Sequence, residues 1–266
     1  MTLVSAAVTL NLDSVHLDDR IAVITGGAAG IGRACAVALA DFGAEVAVCD
    51  RDETNLALCV AEIAAGGGAA FPGLLDVRDR EQVRAWVDSL AEEFGQIDIV
   101  VNNAGGGFFS DFLDVSDNGQ DALIRENFAS VTNFVRATVP HMPASGGSII
   151  NITSIEAHRA APGYAVYSAM KAAVANLTKS LALELGSRMI RVNCVAPDVI
   201  PTPGIGVMPV KTPLPRAGHV DDVAAAVVFL ANPELSGFIT GSTLHVDGGN
   251  RAAGGWHRQS DGSFVT

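Results

Sequence analysis

Seven short, almost continuously apolar runs recur along the chain, each followed by a longer segment or turn, and this alternation limits the available folds more than any other feature. The runs cover residues 20–25, 45–50, 69–75, 97–102, 147–153, 190–196 and 242–247, and segments with helical character cover 30–42, 53–65, 79–94, 116–142, 164–186 and 219–232. Apolar residues at nearly every position, rather than every second one, mark strands covered on both faces. Strand alternating with helix then predicts an α/β chain with a doubly wound, seven-stranded parallel sheet and helices on both faces. No repeat, charge block or Gly/Ser linker divides the sequence. One domain is expected over 19–250, between an N-terminal extension, 1–18, and a C-terminal tail, 251–266. Pro201, Pro203, Pro209, Pro213 and Pro215 crowd into fifteen residues, a density that only a loop accommodates, so 199–217 reads as a loop after the sixth strand.

Charge narrows the partners. The 266 residues carry a formal net charge of -12, which is wrong for a surface that neutralises phosphate backbones and argues against nucleic-acid binding. Cys35, Cys49, Cys59 and Cys194 lack metal-ligand spacing and read as buried thiols of a reducing compartment. The first seventeen residues have no basic leader region, and no apolar run approaches the ~20 residues of a membrane span. The expectation is a soluble, cytoplasmic protein without metal or membrane partner.

Between the first strand and first helix lies Thr25-Gly26-Gly27-Ala28-Ala29-Gly30-Ile31-Gly32. Such a turn lets a pyrophosphate approach main-chain N–H groups at a helix N-terminus, where the helix dipole favours negative charge. Gly26, Gly30, Ile31 and Gly32 are therefore candidate dinucleotide contacts; close packing alone is the plainer explanation of the glycines. Asp50 ends the second strand, eighteen residues after Gly32, where a carboxylate accepts hydrogen bonds from ribose hydroxyls and repels a 2′-phosphate. NAD is favoured over NADP, although Arg51 next to it offers a charge that a phosphate would accept. Asp76 and Val77 follow the third strand and suit an adenine edge. Asn103, Ala104 and Gly105 follow the fourth, beside the ribose.

Tyr167 and Lys171 stand four residues apart in a helical run, so both project from one face, and Ser154 lies thirteen residues before Tyr167 at the end of the fifth strand. With TGxxxGIG, Asn102-Asn103-Ala104-Gly105 and Asn127, this set resembles the short-chain dehydrogenase/reductase family from about Asp19 to Asn250. The resemblance implies a Rossmann-type fold and an acid/base role for Tyr167. It implies that Lys171 lowers the phenol's pKa and bonds the nicotinamide ribose, that Ser154 orients the substrate oxygen, and that Asn127 holds a relay water. It further implies cofactor contacts from Pro197, Ile200 and Thr202, in a turn where Asp198 replaces the family's glycine; aspartate tolerates a left-handed backbone, so that turn is expected to survive. A homotetramer through the two long helical segments is also implied.

Phe108, Phe109, Glu156, His158, Arg159, Tyr164 and the 199–217 loop are candidate substrate contacts, and ordinary packing or solvation is the alternative for each. The tail, with Trp256, is expected to roof the substrate pocket of a neighbouring subunit. The leading functional expectation is NAD(H)-dependent interconversion of a secondary alcohol and a ketone, including bulky cyclic ones. The alternatives are an NADP-dependent 3-oxoacyl-thioester reductase and a non-catalytic NAD-binding sensor or scaffold.

Overall fold

The computed structural model describes residues 10–266 except 204, 207–209, 211 and 260, so the start of the expected N-terminal extension and part of the 199–217 loop, Pro209 included, lie outside the described residues. All seven apolar runs form strands, within a residue or two of the expected bounds: β1 (Ile21–Thr25), β2 (Glu45–Asp50), β3 (Ala70–Leu74), β4 (Ile99–Asn102), β5 (Gly147–Ile152), β6 (Ile190–Pro197) and β7 (Thr243–Val246). They make one sheet in the order β3-β2-β1-β4-β5-β6-β7, every adjacent pair parallel. Pro72 is tolerated in β3 because β3 is an edge strand, with a neighbour on one side only.

Strand geometry sends successive side chains to opposite faces, and both faces are covered. Ala22 and Ile24 of β1 join one apolar cluster with helices α1 (Gly30–Asp41) and α2 (Glu53–Ala65), while Val23 joins another with α3 (Arg80–Phe94). Each such Val or Ile contributes roughly 1.5–3 kcal/mol when fully buried, which is why the runs are apolar throughout rather than alternating. The four cysteines are free and buried.

The expected helix over 116–142 is a composite. Helix α4 (Asp117–Ile124) passes into a π-helical turn, Arg125–Ala129, then α5 (Ser130–Thr138) and a 3-10 turn, Val139–His141. The Ser130 N–H donates to the Arg125 carbonyl across five residues, and the Ser130 hydroxyl donates to the Glu126 carbonyl. The extra residue of a π turn leaves the apolar spacing on either side intact, so periodicity alone does not expose it. Helices α6 (Ala165–Leu185) and α7 (Val220–Ala231) follow the expected bounds closely. The tail, read from sequence without secondary structure, carries a helical turn, Asn250–Ala253, and a small antiparallel pair, His257–Arg258 with Phe264–Val265.

In a sheet of this order the chain changes its direction of travel between β1 and β4. A crevice opens there, beyond the strands' carboxyl ends.

Candidate active site

The crevice is a cleft of about 830 Å³, and loops at the carboxyl ends of β1, β2, β3, β4, β5 and β6 line it. Its floor begins at the glycine turn. Gly26 adopts φ 62°, a left-handed conformation that costs glycine nothing, and a side chain there would meet the Ala104 backbone at 2.9 Å. At Gly32 a Cβ would lie 2.1 Å from the Gly26 carbonyl oxygen and 2.4 Å from Asn103 Nδ2. Gly32 is thus buried behind the cleft, where its missing side chain lets the Asn103 amide cross the turn and donate to the Thr25 and Gly26 carbonyls at 3.0 and 2.9 Å. Thr25 Oγ1 in turn accepts the N–H groups of Asn103 and Ala104. These bonds tie the first turn to the fourth.

Whether this turn fits a dinucleotide can be judged from its helix. Asp52 and Asp79 cap α2 and α3 with side-chain acceptors, but the α1 N-cap, Ala29, has none. A helix leaves its first N–H groups without internal partners, and here Ala29, Gly30 and Ile31 present them to the cleft. Asp50 accepts the Ala28 N–H at 3.1 Å through one oxygen and the Arg51 and Asp52 N–H groups through the other, which fixes the carboxylate at the cleft edge. The donors, the small residues and the carboxylate fit a pyrophosphate and an adenosine ribose. Asp76 also lines the cleft, but Arg78 grips its carboxylate with bonds of 2.6 to 3.0 Å and holds it below the ordinary carboxylate range.

At the other end Ser154, Tyr167 and Lys171 converge on the same cleft. Lys171 is 5% exposed, donates from Nζ to the Ile152 carbonyl at 2.9 Å, and stands 5.7 Å from the centroid of the Tyr167 ring. Burial lowers its pKa to about 8. Tyr167 goes the other way: burial raises its pKa, and the hydrogen bond with Ser154 only partly opposes this. The expected lowering of the phenol by Lys171 is therefore corrected. The ammonium bonds a main-chain carbonyl instead of the phenol, and burial dominates both groups.

Asn127 is completely buried in the π turn and does not line the cleft. Its Nδ2 donates to the Gly106 and Leu123 carbonyls at 2.8 and 3.0 Å, and its Oδ1 accepts the Gly106 N–H at 3.1 Å. It clamps the Gly105–Gly107 loop, which lies so close that a side chain at Gly105 would reach Lys171 Nζ, and one at Gly107 the Tyr167 ring, at 3.0 Å.

Val77, Asn103, Ala104, Gly105, Pro197, Ile200 and Thr202 line the cleft as expected, as do Arg51, Glu156 and Tyr164. Four substrate candidates do not. Phe108 is exposed outside the lining, and Arg159 lies behind Glu156. His158 packs edge-on against His245 of β7, ring centroids 4.7 Å apart, because the 3-10 turn Ile155–His158 rotates it away from Glu156. Phe109 likewise stays outside and packs edge-on against Tyr164, ring centroids 5.8 Å apart. Asp198 does line the cleft, without the expected left-handed backbone: among the described residues only Asp19 and Met189 of the non-glycines have positive φ. No described tail residue lines the cleft; Asn250, the residue just before the tail, donates from Nδ2 to Asp198 at 2.6 Å. Gly106, Gly107, Glu126 and Ile155 are lining residues not expected from the sequence, whereas Ile205 belongs to the 199–217 loop named as a substrate candidate. For Gly106 and Gly107 the signal was present, in the glycine run that continues beyond Gly105.

A buried lysine gives a testable stability signature. Lys171 has a pKa of about 8 folded and 10.5 ordinarily, so between those values the unfolded chain binds a proton that the folded chain does not, and stability rises with pH through that window. Relative to Lys171→Met, the cofactor-free wild type should gain about 2–3 kcal/mol between pH 7 and pH 10 in denaturant unfolding. Parallel curves for the two proteins would contradict the burial argument.

Among the described residues no helix is long and apolar enough to cross a membrane. A family model described as enoyl-(acyl carrier protein) reductase matches residues 26–251. The 3-oxoacyl-[acyl-carrier-protein] reductase FabG of Thermotoga maritima is 36% identical over 244 residues, 88% of this chain and 99% of that protein. Among solved structures, a 7α-hydroxysteroid dehydrogenase complexed with NADH and 7-oxo glycochenodeoxycholic acid superposes with a TM-score of 0.86 at 33% identity, over 91% of this chain and 98% of that one. Carveol dehydrogenase of Mycobacterium avium in complex with NAD gives a TM-score of 0.83 at 30% identity, over 88% and 98% of the two chains.

Proposed function

Because the chain belongs to the short-chain dehydrogenase/reductase family and is an oxidoreductase, we propose that it uses NAD(H) and interconverts a secondary alcohol and its ketone, bulky cyclic ones included. The observation that carries this reading is one cleft holding the uncapped glycine turn and Asp50 at one end and Ser154, Tyr167 and Lys171 at the other. The dinucleotide would be held by the N–H groups at Gly30 and Ile31, by Asp50 at the ribose, by Asp76 and Val77 near the base, and by Asn103 to Gly105, Pro197, Ile200 and Thr202 along its length. Bound there, its nicotinamide supplies or accepts the hydride.

The chain's own task is the proton. A phenol raised by burial is neutral near pH 7, so Tyr167 is ready to donate to a carbonyl oxygen that Ser154 orients. Lys171 supplies a positive charge behind the phenol and donors toward a ribose. Asn127 acts through the Gly105–Gly107 loop, which sets the packing around Tyr167 and Lys171, and so serves as a positioning residue. Assembly as a homotetramer, with α4, α5 and α6 at the subunit contacts, belongs to the same proposal.

A second reading, NADP-dependent reduction of a 3-oxoacyl thioester, draws support from Arg51 in the cleft lining and from the Thermotoga maritima relative. Cofactor binding separates the two. The wild type should bind NADH at least about tenfold more tightly than NADPH, and Asp50→Ser should reverse or erase that ratio by removing like-charge repulsion with the 2′-phosphate. A wild-type preference for NADPH would favour the thioester reading.

A further inference from the structure

Beside the reacting groups stands a carboxylate that the proton chemistry does not use. Glu156 lies two residues beyond Ser154, and its N–H donates to the Ser154 hydroxyl at 3.2 Å, so the serine fixes the turn that carries it. Its side chain is 24% exposed in the cleft lining, on the same wall as Tyr164 and Tyr167. From behind, Arg159 donates to both of its oxygens, Nη2 to Oε1 at 2.8 Å and Nε to Oε2 at 3.3 Å. The same guanidinium stands 3.6 Å from Asp198, which also lines the cleft and is held in turn by Asn250.

Two carboxylates share one guanidinium here, so the group carries one net negative charge. Arg159 itself is outside the lining; the described cations that line the cleft are Arg51, at the adenosine end, and the buried Lys171. A carboxylate has about four lone-pair positions, and the clamp from Arg159 uses two, so Glu156 keeps acceptor capacity on its cleft side while its rotamer is fixed. A preorganised acceptor of this kind rewards a substrate that brings a hydroxyl donor and penalises one that brings an anion.

We infer that Glu156, clamped by Arg159, is the residue that selects the substrate: a neutral ketone or alcohol bearing a second hydroxyl near the reacting carbon, with anionic substrates disfavoured. This rests on the oxidoreductase reading above and narrows it. Substrates of the α-hydroxyketone and vicinal-diol class fit; thioesters carried on phosphate-bearing arms fit poorly.

The test compares cyclohexanone, α-hydroxycyclohexanone and an oxocyclohexane carboxylate in NADH-linked assays with the wild type, Glu156→Gln and Glu156→Ala. Ratios of kcat/KM within each protein cancel any loss of folded enzyme. The wild type should favour the hydroxyketone over the plain ketone by about tenfold or more, and both variants should shrink that ratio several-fold while the carboxylate gains relative to the plain ketone. Equal ratios in wild type and variants would overturn the assignment. In parallel, calorimetry of the cofactor-free protein with cyclohexanediol and cyclohexanol reads binding without turnover. A diol preference that weakens in Glu156→Gln, in a protein that reduces none of the ketones, would sustain the role of Glu156 while refuting the alcohol–ketone reading.

Discussion

Tyr167→Phe should lower turnover by about a thousandfold or more while leaving NADH affinity within about threefold of wild type. The two effects separate because the substitution removes one oxygen, the atom that the proposed chemistry protonates and deprotonates, and keeps the ring that the Gly105–Gly107 loop packs against. General acid catalysis by a positioned side chain is typically worth 10² to 10⁴ in rate. Here no other phenol is placed to substitute: Tyr164, the second tyrosine, has its ring 6.4 Å from that of Tyr167, packs edge-on against Phe109, and has Ser168 rather than a lysine four residues on. Steady-state rates and fluorescence titration with NADH measure the pair. Retained turnover would move the chemistry to another group.

Gly32→Ala should cost on the order of 3–5 kcal/mol of stability and abolish measurable NADH binding. The added methyl would sit 2.1 Å from the Gly26 carbonyl oxygen, a backbone atom with no rotamer to adopt, so the turn or the helix start must shift. Either shift pulls the Asn103 amide away from the Thr25 and Gly26 carbonyls it now satisfies, and each buried group left unpaired costs about 1–3 kcal/mol. Against a total stability typically of 5–15 kcal/mol, the loss is large enough to read directly by chemical denaturation. Gly186→Ala is the matched control. A Cβ at Gly186 meets nothing within 4 Å, so its stability should stay near wild type.

The strands were legible in the sequence because the sheet is covered on both sides, which forces apolar residues at nearly every strand position. Helix α1 and the glycine turn were legible for a local reason, since the turn conformation and the close backbone approach both demand glycine within a few residues. What the sequence hid depends on longer-range or subtler geometry. The π turn at Asn127 leaves the apolar spacing around it undisturbed, so a broken helix reads as a continuous one. His158 and Glu156 are two residues apart, and only the 3-10 turn decides that one faces the cleft and the other faces His245. Asp198 enters the cleft through its ties to Arg159 and Asn250, contacts between segments far apart in the chain. The tuning of Tyr167 differs from expectation for a similar reason: pair spacing says that Lys171 is near, but not that its ammonium donates to Ile152 or that burial is the dominant effect on the phenol.

Direct hydride transfer to a carbonyl carbon, with Tyr167 as the proton donor, is the central proposed step. Wild-type protein incubated with a cyclic hydroxyketone and NADH deuterated at the nicotinamide transfer position should yield alcohol carrying one deuterium on the carbinol carbon, detected by mass spectrometry, and Tyr167→Phe should yield essentially none. Alcohol formed without deuterium on that carbon, or equal deuterium incorporation by the Tyr167→Phe protein, would contradict it.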